Sequence, residues 1–160
     1  MDPEDRFAIQ DLIADYAFFW DNKDADGWAG LFTPDGVWEL YLRSVRNPVR
    51  RLTNVGERIT AARSAFFSPI RHQTRLYHSG LRFDELTEDH ASVRSIILVV
   101  ELLDSPRAGT VQPLFTGTSS DTFRKTPIGW RFTRREIHGD QSPGFGDAQD
   151  LGFSADAVSD

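Results

Sequence analysis

Apolar residues near the start of the chain recur with a helical period: Ile9, Leu12, Ile13, Tyr16, Ala17 and Trp20 share one side, while Asp11 and Asp15 fall on the other. Asp2 suits an N-cap, Pro3 suits the first helical position, and Glu4 and Asp5 complement the positive end of the helix dipole. An amphipathic helix is therefore expected to about Asn22. Asp24 or Asp26 can cap a second, shorter helix carrying Trp28, Leu31 and Phe32, which Thr33-Pro34-Asp35-Gly36 closes as a turn. Val37 to Leu42 then reads as a strand. Gly56 to Phe67 has helical character, with Ile59, Ala62 and Phe66 on one side before Ser68-Pro69 stops it.

The period then changes. Thr74 to Leu86, Ala91 to Leu103, Leu114 to Lys125 and Trp130 to His138 are β-rich and separated by short turn-forming segments, which predicts an antiparallel meander. Helices first and one large sheet after them make an α+β layout: a strongly bent, mainly antiparallel sheet with three N-terminal helices enclosing a pocket. A sheet bent that far leaves a concavity that the helices cannot fill, and such concavities take small molecules. The expected domain spans residues 1–140. The segment 141–160, rich in Gly, Ser, Asp and Ala with isolated Phe145, Leu151 and Phe153, reads either as an acidic tail or as a lid over the pocket.

Composition narrows the chemistry. The chain has 160 residues and no cysteine, so disulfides, thiolate nucleophiles, iron–sulfur clusters and Cys-ligated zinc are excluded. A formal net charge of -6 argues against a nucleic-acid partner. Arg43, Arg46, Arg50 and Arg51 are the local exception, in a Pro- and Asn-containing stretch that reads as a solvated or interface loop. The longest apolar run, Ile96 to Val100, is too short to span a bilayer, and Asp2, Glu4 and Asp5 are wrong for the start of a secretory signal, so a cytoplasmic protein is expected. Walker, GxGxxG, GxSxG and HExxH motifs do not occur.

Tyr16 lies mid-stripe on the first helix, so its ring points inward, and its hydroxyl can meet either a backbone carbonyl or a ligand oxygen. Asp21, at the edge of that stripe, is the acid best placed to look into the fold; it is either an exposed helix-end carboxylate or the orienter of an imidazole. Alternation puts His72, Thr74, Leu76 and His78 on one face of the first long strand and Tyr77, Leu81 and Phe83 on the other. His72 and His78 are then about 20 Å apart, too far to share one reaction centre or one metal. His90 and His138 read as surface groups. Thr118, Ser120 and Asp121 are explained by cross-strand hydrogen bonds or by ligand contact. Arg131, Arg134 and Arg135 read as a solvated outer face or an oligomer interface.

The order of a helix bearing Tyr16-x-x-x-x-Asp21, then Asp26-Gly-Trp-x-x-Leu-Phe32, then Pro34-Asp35-Gly36-Val37-Trp38, then Arg71-His72 opening a strand and Gly129-Trp130-Arg131-Phe132 near the end resembles the SnoaL-like members of the NTF2-like superfamily, closest to the branch of scytalone dehydratase and the bile-acid dehydratases. The resemblance runs from about Asp5 to Asp140 and implies a cone of bent sheet and helices. It implies a catalytic set of Tyr16, Asp21 and His72: His72 takes an acidic α proton, Asp21 holds the imidazole, and Tyr16 hydrogen-bonds the carbonyl oxygen as enolate character develops. No cofactor or metal is then required. Tyr41, Trp20, Trp38, Leu76 and Phe66 are the expected substrate-binding residues. The implied activity is that of a lyase or isomerase, dehydratase-like, on a small apolar carbonyl or hydroxy-carbonyl compound, cyclic or not. Relatives that cyclise polyketides, bind ligands without chemistry or serve as dioxygenase β subunits keep those alternatives open. The outer sheet face, carrying Trp, Phe and Arg, suggests a homo-oligomer, dimer or trimer.

Overall fold

In a computed structural model the described residues are 3–67, 73–102 and 110–141. Helix α1 (Pro3–Asp21) buries Ile9, Leu12, Ile13 and Tyr16, the stripe that its sequence period predicts. Asp5 also turns inward at the first turn. Its carboxylate accepts a 2.8 Å bond from the Trp130 indole and pairs with Lys125 at 2.7 Å, contacts that hold it below the usual carboxylate range. Helix α2 (Ala25–Gly30) is capped by Asp24, which accepts from the Gly27 N–H at 2.9 Å.

Strand β1 (Phe32–Tyr41) runs straight through the Thr33–Gly36 segment that sequence reasoning reads as a turn. The segment is an irregularity inside the strand: pairing with the last strand shifts register between Phe32 and Val37. Gly36 is needed there, because an added Cβ would lie 3.0 Å from the Phe132 carbonyl oxygen. The irregularity leaves the carbonyls of Thr33 and Gly36 to the fully buried Arg58, which donates to both and lies over the Phe32 ring. Arg58 comes from helix α3 (Val55–Ala61), which continues as a π-helical turn, Ala62–Phe66. Its start is a reciprocal capping arrangement in which Asn54 accepts from Glu57 N–H at 3.0 Å and Glu57 from Thr53 N–H at 2.6 Å. Part of the arginine stretch read as loop is the short strand β2 (Arg50–Leu52), antiparallel to β1, with Arg51 paired to Glu39 at 3.3 Å.

The meander is β3 (Gln73–Leu86), β4 (His90–Leu102), β5 (Val111–Thr126) and β6 (Gly129–Gly139), within a few residues of the predicted strands. The six-stranded sheet has the order β2-β1-β6-β5-β4-β3; every pair is antiparallel except β1 with β6, which is parallel. The helices cover the concave side, α1 packing on β3 and β6 and α3 on β1. This is the mainly antiparallel α+β cone that the sequence predicts.

Register shifts change which side chains face inward, and two of them bear on the interior site. In β3 the ladder shifts between Ser79 and Arg82, with Gly80 in the left-handed region at φ +59. Thr74, Leu76 and His78 point to the interior before the bulge, and Leu81 and Phe83 pack against the core after it, whereas Tyr77 is exposed. Strict alternation put Tyr77, Leu81 and Phe83 on one face; the inserted residue inverts the phase. In the β5–β6 pair Thr122 faces Arg134 and Phe123 faces Phe132, leaving Thr133 as the extra residue. Trp130 and Phe132 point inward on one side of it, and Arg135 and Ile137 on the other. Arg135, expected on a solvated outer face or an oligomer interface, is consequently 0% exposed.

Candidate functional site

The concave face lines a partly open cavity in which the centre of a water-sized sphere has about 70 Å³ to move. Helix α1 contributes Tyr16 and Trp20, the π turn Phe66, and the sheet Trp38, Leu76, Ile97 and Ile137. Aromatic contacts link the helices to the sheet in this wall: Phe66 lies 5.3 Å from Trp20 and 5.2 Å from Trp38, centroid to centroid. A single water needs only about 10–15 Å³ by this measure, so the space suits a small organic molecule held by dispersion and desolvation.

Tyr16 is the polar exception in this wall. It is 1% exposed, and its hydroxyl oxygen accepts a 3.0 Å bond from the Trp38 indole. An indole N–H can only donate, so this bond does not engage the phenol proton, which meets no acceptor among the described residues. Burial pushes the phenol above its ordinary pKa, opposed by the positive charge of Arg135.

Of the residues expected at the site, Tyr16, Trp20, Trp38, Phe66 and Leu76 line this one cavity. Tyr41 does not: it stacks on His138 at 4.9 Å and borders a separate groove with Arg43 and Arg46. Asp21 sits at the end of α1 with its carboxylate turned to β3, accepting from Thr74 Oγ1 at 3.0 Å and from the Leu76 N–H at 3.1 Å. Partial burial raises its pKa and these bonds oppose the rise. The Gln73 side-chain amide donates to the Asp21 carbonyl at 3.1 Å, so the end of α1 is fastened to the start of β3. His72, directly before Gln73, lies outside the described residues, as does the 142–160 tail. Among the described residues no cluster of His, Asp and Glu could hold a metal ion, and no helix is long and apolar enough to cross a membrane.

Sequence reasoning missed a polar layer beneath the cavity. Asp121 and Arg135, directly opposite in the β5–β6 ladder, form a fully buried ion pair at 3.2 Å. Asp121 also accepts from Ser119 Oγ at 2.9 Å, and Ser119 bonds Ser95 at 2.8 Å. Arg135 also contacts Nε2 of His78. An arginine can only donate, so Nε2 is the acceptor and the imidazole proton sits on Nδ1. Burial, helped by the Arg135 charge, lowers the His78 pKa to about 2, while burial raises that of Asp121 to about 6. The signal was a charged residue in the otherwise inward phase of β5, but the matching arginine could be placed only by knowing of the bulge at Thr133.

Residues 2–136 match the profile of the SnoaL-like domain family. No curated protein matches the sequence. Among solved structures, an NTF2-like protein with a cystatin-like fold from Novosphingobium aromaticivorans is similar at 24% identity and TM-score 0.68, over 92% of this chain and 88% of that one. A candidate scytalone dehydratase from the same organism matches at 22% identity and TM-score 0.64, over 85% and 84%. The β subunit of a candidate aromatic-ring-hydroxylating dioxygenase, also from that organism, matches at 18% identity and TM-score 0.72, over 84% and 88%. At these identities the likeness is one of fold.

Proposed function

The chain belongs to the SnoaL-like domain family, and from that premise we propose that it is a cofactor-independent lyase or isomerase, dehydratase-like, acting on a small apolar carbonyl or hydroxy-carbonyl compound by proton abstraction. The observation that carries this reading is the phenol of Tyr16, buried in the wall of a cavity of otherwise apolar side chains, with its oxygen accepting from Trp38 and its proton without an acceptor among the described residues. A ligand carbonyl is the acceptor that such a proton requires, and a donor aimed at a carbonyl oxygen stabilises the enolate formed when an adjacent proton leaves. His72 is the proposed base. Asp21, which has lone pairs left after its bonds to Thr74 and Leu76, is the proposed orienter of the imidazole. Trp20, Trp38, Phe66 and Leu76 supply the apolar walls, and Tyr41 has no part in the site. Polyketide cyclisation would use the same donor and base on a longer substrate.

The test is incubation with cyclic ketones, with and without a β-hydroxyl, in D2O, read by proton NMR. Loss of the α-proton signal or elimination of water, dependent on His72, supports the reading; bound ketones that neither exchange nor eliminate overturn it. The second reading, a ligand-binding protein or a partner resembling a dioxygenase β subunit, is favoured by one observation: among the described residues no acid or imidazole joins Tyr16 in the cavity wall. It predicts tight ketone binding without exchange. A homo-oligomer is part of the proposal, supported by the exposed Tyr77, Ile96 and Leu98 grouped on the outer face of β3 and β4.

A further inference from the structure

The charged layer behind Tyr16 has no part in the reading above, yet it is built against the phenol. The Arg135 guanidinium carbon lies 4.0 Å from the centroid of the Tyr16 ring. Its charge is met by Asp121 on the neighbouring strand, and on its other side Arg135 meets His78, whose ring stands edge-on to Tyr16 at 5.9 Å. Among the described residues the titratable groups that face Tyr16 are therefore Arg135 from β6, Asp121 behind it on β5, and His78 from β3. The remaining ring neighbours, Trp20, Trp28, Trp38 and Phe132, carry no charge.

An ion pair sealed this far from water contributes little to stability unless every polar atom is satisfied. Here Asp121 Oδ1 and Arg135 Nε are buried with no hydrogen-bond partner among the described residues. Stability is thus a poor account of the arrangement, and the position of the cation is a better one. A cation over the face of a phenol favours negative charge developing at its oxygen, and does so strongly where water is excluded. We infer that Arg135, held in place by Asp121, is a positioning residue that tunes Tyr16 as a hydrogen-bond donor to the oxygen of the bound ligand. The inference rests on Tyr16 being the group that meets the ligand, but its test needs none.

A multiply fluorinated tyrosine placed at position 16 of the full chain brings the phenol's ionisation into a range where the fold is intact, and phenolate absorbance reads that one residue. Asp121→Asn leaves Arg135 unopposed and is expected to raise the ionisation constant roughly tenfold, one pH unit. Arg135→Gln is expected to lower it by a similar factor. Ser95→Ala, in the same layer but uncharged, is expected to leave it within about twofold, which separates charge from general disruption. A constant unmoved by Asp121→Asn, or moved in the same direction by both charge variants, overturns the inference. Should Arg135→Gln fail to fold, Arg135→Met keeps the apolar stem, removes the charge and must still lower the constant; no change there is equally fatal. If Tyr16→Phe binds ketones as tightly as the parent protein, it is the proposed function that fails, and the tuning measured without ligand stands.

Discussion

The indole nitrogen of Trp38 donates to the hydroxyl of Tyr16 across 3.0 Å, tying strand β1 to helix α1 at the wall of the cavity. Tyr16→Phe removes the acceptor and leaves a buried indole N–H unpaired, which is expected to cost about 1–3 kcal/mol of stability. The same variant should bind a cyclic ketone more weakly, yet bind the hydrocarbon of equal shape unchanged. Chemical denaturation and calorimetry with the two ligands measure both effects. Equal losses for ketone and hydrocarbon would show that the hydroxyl is not the ligand's partner.

His72→Ala and Asp21→Asn are expected to lower turnover by about 100-fold or more, the usual scale for losing general-base chemistry. Their stabilities should differ. Asp21 accepts from Thr74 and from the backbone of Leu76, so Asp21→Ala should destabilise by about 1–3 kcal/mol, whereas Asp21→Asn keeps an acceptor and should hold its thermal midpoint close to the parent value. An Asp21→Asn protein with full turnover would assign the carboxylate to fastening α1 on β3 and nothing more.

Acid stability follows from two groups of opposite sign. His78, lowered from 6.5 to about 2, contributes stability that is complete above pH 6.5 and is lost as pH falls toward 2. Asp121, raised from 3.8 to about 6, contributes stability that is complete below pH 3.8 and is lost as pH rises through 6. Between about pH 4 and 6 the two slopes oppose, so the parent protein should change little there and lose stability below pH 4. Asp121→Asn removes the opposing slope and should weaken by roughly 1.4 kcal/mol for each pH unit from 6 to 4. Urea denaturation at pH 4, 5, 6 and 7 checks this; parallel curves for the two proteins would mean that the pair does not titrate in this range.

Tyr77 pairs with Leu98 across β3 and β4, and Ile96 lies beside them, all three exposed. If a second copy docks on this face, Ile96→Lys should convert the species seen by light scattering to a monomer with its thermal midpoint little changed or lower. A parent protein that is already monomeric at micromolar concentration removes that part of the proposal.

Helix α1 was legible because Ile9, Leu12, Ile13 and Tyr16 repeat over several turns, and the four long strands because their turn residues are unambiguous. Thr33-Pro34-Asp35-Gly36 misled because its turn chemistry is real: the chain does deviate there, but Arg58 takes up the stranded carbonyls and the strand continues. The inward phase of Leu81 and Arg135 was not legible, because one inserted residue inverts a period of two and leaves no mark in composition. Of the expected substrate-binding residues, Trp20, Trp38, Phe66 and Leu76 line one cavity, while Tyr41 borders a separate groove because its ring faces the opposite side of β1 from Trp38.

The single parallel pairing, β1 with β6, also governs when the interior can form. Trp38 stands on a strand whose inner neighbour, β6, is the last of the described strands to be made, so during synthesis β1 must wait for about ninety further residues before that hydrogen-bonding edge is occupied. Contacts between segments so distant in sequence are slow to close. The hollow is thus a late product of folding: a nascent chain stopped short of β6 would have its α1 phenol and its β1 indole without the strand that brings them together.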